Sequence, residues 1–170
     1  MLLVVDIGNS NVVAGVYQGA KLVKSWRFAS DRVKTVDEYV GLLSDFFKRA
    51  GLKASQIHNS IVSSVVPPLV PVFEEALTRL FGKPGLVVST ALDLGLDVRT
   101  KNPDEVGADR LVNALAGYEL YGGPLLVLDL GTATTVDAVS KDGAYLGGAI
   151  APGVGISLEA LVTRTAKLWR

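Results

Sequence analysis

The pattern that most limits how this chain can fold occurs twice. Val5-Asp6-Ile7-Gly8-Asn9-Ser10 and Leu128-Asp129-Leu130-Gly131-Thr132-Ala133-Thr134-Thr135 each run from an apolar stretch through one carboxylate to a glycine. Hydroxyl or amide side chains and a second β-branched run follow. That order predicts a strand, a tight turn and a returning strand. Glycine in the turn lets backbone N–H groups approach an anion, and Asn9, Ser10, Asn11 and Thr132 add side-chain donors beside them. Carboxylates repel phosphate, so Asp6 and Asp129 fit better as ligands for a cation or its waters next to the phosphates. A single Asp-x-Gly would read as a turn cap. Two copies point instead to a nucleotide held between two lobes.

The elements around these turns can be read in order. Residues 2–7, 11–18 and 21–29 predict a three-stranded antiparallel meander. Thr35, with Glu38 three residues on, opens a helix whose apolar face is Tyr39, Leu42, Leu43, Phe46 and Phe47, and Gly51 closes it. Ile61–Val66 is a short strand before Pro67-Pro68. Val70, Phe73, Leu77 and Leu80 mark a second helix, and Leu86–Val88 a fifth strand. A polar, turn-rich stretch from Asp93 to Glu105 leads to Val106-Gly107-Ala108-Asp109-Arg110 at the start of an Ala- and Leu-rich helix ending near Gly122-Gly123. Strands are expected over 125–130, 133–140 and 144–150, with a helix from about Gly155. The fold class is α/β: a mixed five-stranded sheet with flanking helices over residues 1–122, connecting helix included, then the opening of a second, similar lobe over 123–170. The second lobe reads as incomplete, which suits either a fragment or a shortened relative.

Composition removes several functions. Seventeen basic and seventeen acidic residues balance, so no global field attracts nucleic acid or an anionic membrane. Without cysteine there are no disulfides, thiolate chemistry or Cys-ligated zinc. The opening Met1–Val5 run is broken by Asp6 and lacks a basic start, so it reads as a strand and not a signal peptide. No apolar run approaches the ~20 residues that span a bilayer, and a cytoplasmic protein is expected. The one histidine, His58, lies in a polar loop and reads as solvated. Trp26, Phe46, Phe47 and Phe73 read as core, and Lys48-Arg49 as a helix end.

The two turns resemble the phosphate loops of the acetate kinase, sugar kinase, Hsc70 and actin superfamily, whose ribonuclease H-like lobes have the same element order. A narrower resemblance rests on four motifs: Asp6-Ile7-Gly8-Asn9-Ser10, Gly107-Ala108-Asp109-Arg110, Asp129-Leu130-Gly131-Thr132-Ala133-Thr134 and Gly147-Gly148-Ala149-Ile150-Ala151-Pro152-Gly153. In order and spacing they are similar to those of type III pantothenate kinases. The resemblance implies ATP-dependent phosphorylation of pantothenate, the first step of coenzyme A synthesis, by a homodimer. It implies that Asp6, Ile7, Gly8, Asn9, Ser10, Asn11, Val12, Val13, Gly131 and Thr132 bind nucleotide. It places pantothenate at Gly107, Ala108, Asp109 and Arg110, with Asp109 as proton acceptor. Asp129 would serve a monovalent cation, potassium or ammonium, or lie near magnesium bound to ATP.

Residue chemistry agrees with these roles. An aspartate at a helix start suits general-base work, and an adjacent arginine suits bidentate pairing with a carboxylate. Taken locally, the same two residues could be a helix cap and a surface ion pair. The stretch Gly147–Gly153 would bring backbone close to nucleotide, although a plain strand and loop would need no ligand. One position departs from the family: seven residues before Gly107, where many members carry tyrosine, this chain has Thr100. The rival readings are a non-catalytic transcriptional accessory factor of the same fold and an inactive fragment of the kinase.

Overall fold

The structure is a computed structural model and describes residues 1–165. The chain divides into two compact units, Met1–Ser89 and a second that begins at Thr90.

In the first unit, β1 (Leu2–Ile7), β2 (Asn11–Gln18) and β3 (Lys21–Ala29) form the antiparallel meander, and β4 (Asn59–Ser64) and β5 (Leu86–Val87) add parallel to β1. The sheet order is β3-β2-β1-β4-β5. Strict alternation makes one face apolar: Leu3, Val5 and Ile7 of β1 and Val12, Ala14 and Val16 of β2 are fully buried. Two helices, α1 (Val36–Arg49) and α2 (Val70–Phe81), supply Tyr39, Phe47, Phe73 and Leu77 to the same core. Each such Leu, Ile, Val or Phe contributes about 1.5–3 kcal/mol through burial. Trp26 stacks on Phe46 and Phe47 at centroid distances of 5.7 and 5.5 Å, so the aromatic residues are structural, as expected. His58 is exposed.

The start of α1 is fixed by the expected capping box: Thr35 Oγ1 accepts from the Glu38 N–H, and Glu38 accepts from the Thr35 N–H at 2.8 Å. Gly51, at φ +68°, follows its end, and Gly82, at φ +82°, caps α2. β4 starts two residues before the expected Ile61 and ends at Ser64. Val65 still donates to Ile7 O, but Pro67 and Pro68 open a short 3₁₀ turn and the ladder cannot continue.

In the second unit, α3 (Ala108–Tyr121) precedes the antiparallel strands β6 (Leu125–Leu130), β7 (Ala133–Val139) and β8 (Tyr145–Pro152), and α4 (Val154–Arg164) follows. α3 packs closely on β6 because Gly117 has no side chain: a Cβ there would come within 2.9 Å of Leu125 and 3.2 Å of Val127. Ala114, Val139 and Tyr145 form the small core beneath it. The opposite sheet face carries Leu126, Leu128 and Leu130, which are exposed. The polar stretch before α3 is irregular, as expected, but it is not loose. Val98 bridges to Tyr145, with Tyr145 N donating to Asp97 O and Arg99 N to Tyr145 O, both at 2.8 Å. Arg99 also spans Asp97 and Asp142. Within the second unit α3 packs on β6 and β7, so the helix that ends at the expected 122/123 division groups with the strands that follow it. No helix among the described residues is long and apolar enough to cross a membrane.

Candidate active site

The first turn joins β1 to β2. Ile7 pairs with Val12, so four residues, Gly8 to Asn11, close it, and Gly8 N donates to Asn11 O at 3.0 Å. Asn9, Ser10 and Asn11 are exposed, as is Asp6, which lies on the sheet face opposite Val5 and Ile7. Ile7 and Val12 are fully buried, so their side chains serve the core and only their backbone borders the turn. Val13, half-buried, is the ladder partner of Asp6. A cation missed in the sequence completes the turn: Arg32 Nη2 donates to Asn9 Oδ1 at 3.0 Å, and Ser30 N donates to Ser10 O. Positive charge is thereby held beside the backbone donors.

The second turn, between β6 and β7, is one residue shorter. Leu130 pairs with Thr134, so three residues close it, and Gly131 N donates to Ala133 O at 2.9 Å. Gly131 and Thr132 are exposed. Gly153 seats this turn, donating to Thr132 O at 3.1 Å, and a Cβ on it would fall 2.3 Å from Gly131 O. The Gly147–Gly153 stretch thus lets the chain approach itself. Gly147 lies against Thr100, Gly148 against Arg110 and Asp137, and Gly153 against the turn.

The chemical groups of the second unit gather where α3 meets the sheet. Gly107 is the N-cap residue of α3 and Ala108 its buried first residue, so Asp109 and Arg110 stand in the first turn. The half-buried Asp109 accepts from the Arg110 N–H through Oδ1 at 2.8 Å. Burial pushes its carboxyl above the ordinary aspartate value, and the Asp129 charge adds to the rise. The Arg110 N–H and guanidinium pull the other way without cancelling it. A turn further along α3, Asn113 Nδ2 donates to Asp129 Oδ2 at 3.2 Å. Asp129 Oδ1 lies 3.6 Å from where a Cβ would stand on Gly131, so this carboxylate leans over the turn glycine. A hard oxygen in that position suits a cation shared with phosphate oxygens and water. Among the described residues no group of three or more His, Cys, Asp or Glu forms a self-sufficient metal cage.

Arg110 does not form the surface pair that its local sequence allowed. Its Nε donates to Asp137 Oδ1 at 2.8 Å, and its Nη2 lies 2.5 Å from the same oxygen. Asp137 is 1% exposed and also accepts from the Tyr145 hydroxyl at 2.6 Å. Burial raises the Tyr145 pKa and the neighbouring carboxylate raises it further, so the phenol remains a donor. Neither Asp137 nor Tyr145 was found in the sequence. Their signal, an acid on β7 aligned through β8 with a tyrosine and a bare glycine, exists only once the strand register is known.

A family model for type III pantothenate kinases matches residues 2–170. A type III pantothenate kinase from Geobacter sulfurreducens is 51% identical over 170 residues, and one from Moorella thermoacetica matches equally well. Each match covers 100% of this chain and 67% of the relative. Solved structures add the fold. The activator of the 2-hydroxyisocaproyl-CoA dehydratase from Clostridium difficile, with bound ADPNP, is 14% identical with a TM-score of 0.56, covering 97% of this chain and 53% of that one. An Aquifex aeolicus Ppx/GppA family member is also 14% identical, with a TM-score of 0.52, covering 94% and 53%. The architecture is therefore the expected actin-like α/β fold, and with four motifs and a family match along nearly its whole length, the chain belongs to the type III pantothenate kinase family.

Proposed function

We propose that Asp109 is the general base of the family's reaction, the ATP-dependent phosphorylation of pantothenate that opens coenzyme A synthesis, and that Arg110 receives the pantothenate carboxylate. The observation that carries this reading is the raised, half-buried Asp109 carboxyl beside Arg110, one helical turn from the Asn113–Asp129 pair. Phosphoryl transfer asks mainly for positioning and charge neutralisation. A carboxylate of raised pKa is a stronger base than an ordinary aspartate. It can take the proton of the attacking hydroxyl.

Gly8 to Asn11 with Arg32, and separately Gly131 and Thr132, offer backbone, amide, hydroxyl and guanidinium donors for ATP phosphates. Asp129 would hold a monovalent cation, potassium or ammonium, and Asp6 would lie near magnesium carried by the nucleotide. Such cations neutralise phosphate charge. The proposal extends to a homodimer, for which the family is the support. The test is the Asp109→Asn variant, because an amide cannot accept the proton. Pantothenate-dependent ADP release should fall by about 10²–10⁴-fold with folding intact. Turnover within a few-fold of wild type would reject the base, and its absence in the wild type would favour an accessory role.

A further inference from the structure

Arg110 is held by more than an ion pair needs. Asp137 Oδ1 engages the Nε and Nη2 edge of the guanidinium, and the Tyr145 ring lies 6.0 Å from its central carbon. The Tyr145 hydroxyl returns to the same carboxylate oxygen. Three elements close on one another here, α3, β7 and β8, and the fit leaves no spare space. A Cβ on Gly148 would come within 2.8 Å of both Arg110 Nη2 and Asp137 Oδ1. Nη2 is buried and makes no well-formed hydrogen bond despite its closeness to Asp137. None of these contacts uses Nη1.

A buried pair of this kind is a poor way to gain stability, since desolvation consumes much of the attraction. Its specific effect is on orientation. An arginine with four free torsions loses conformational entropy when it grips an anion, whereas one already clamped along one edge does not. We infer that Asp137 and Tyr145 are positioning residues that hold Arg110 in a single orientation, so that its uncommitted end forms a ready receptor for the substrate carboxylate. They set affinity for the anionic end of pantothenate and leave phosphoryl transfer alone. This rests on the reading of Arg110 as carboxylate receptor.

The test measures pantothenate binding and steady-state kinetics for Asp137→Asn and Tyr145→Phe, each with its thermal melt. A neutral acceptor, in which an alcohol replaces the carboxylate, is run in parallel. Asp137→Asn should weaken pantothenate binding and raise its KM by about tenfold or more. Its kcat should stay within threefold and the KM for ATP within twofold. Tyr145→Phe should shift the same quantities by less, and binding of the neutral acceptor should stay within twofold in both. Pantothenate affinity within twofold of wild type in folded variants overturns the inference. So does an equal loss for the neutral acceptor, because a merely structural pair would weaken both ligands. If Asp137→Asn does not fold, Tyr145→Phe decides by the same criteria. Arg110→Lys separates the two layers. If it loses the preference for the carboxylate and folded Asp137→Asn keeps it, positioning is rejected and the receptor stands. If it keeps the preference, the receptor is rejected and the inference with it.

Discussion

Asp109, the proposed base, is a half-buried carboxyl whose surroundings work against the fold. Because burial raises its folded-state pKa above 3.8, the native chain binds more protons there than the unfolded chain as the pH rises past that value. Stability is therefore lost as pH climbs from the ordinary aspartate value through the raised one, and above that value the ionised carboxylate carries the full penalty. Asp109→Asn should melt at least as high as wild type at pH 7, with an advantage that shrinks as the pH is lowered toward 3.8. Paired thermal melts check this, and an Asn variant markedly less stable at pH 7 would contradict it. Asp109, Arg110, Asp129 and the turn residues were legible in the sequence because each sits inside a contiguous motif. Arg32, Asp137 and Tyr145 were not. Arg32 reaches Asn9 across 23 positions, and Asp137 meets Arg110 across 27, distances that only the folded backbone closes.

Elements were more legible than contacts because their signals are local. The meander ends, the capping box and the helix-ending glycines Gly51 and Gly82 all act within a few residues, and β1, β2 and β3 fall on their expected bounds. The misses lie at edges. β4 slides toward its N-terminal side, and the Asp97–Arg99 staple on β8 has no periodic pattern to announce it. The capping box allows a direct test. Thr35→Ala should cost about 1 kcal/mol, read as a lowered urea midpoint with unchanged slope. Glu38 supplies the other half, and the Thr35 N–H bond holds its carboxyl below the usual glutamate range. That contribution is present at neutral pH and fades as the pH falls through the folded value.

At the scale of the molecule, the first unit has what a small independent domain needs: five strands, two helices and a continuous core from Leu3 to Leu77. Residues 1–89 alone should unfold in one cooperative transition, followed through Trp26, whose ring packs on Phe46 and Phe47. A broad, featureless melt would show that the core needs support from elsewhere. The unequal turns, four residues in one and three in the other, reach further still. Each nevertheless joins a directly opposed pair, Ile7 with Val12 and Leu130 with Thr134, so the ladder on either side keeps its register and the extra residue stays within the loop. Val12, Ala14 and Val16 keep their places in the core whichever length the loop has. Although the two stretches read almost alike, the repeat is close in its strand ends and looser in its loops, and the difference in length falls where it moves no core residue.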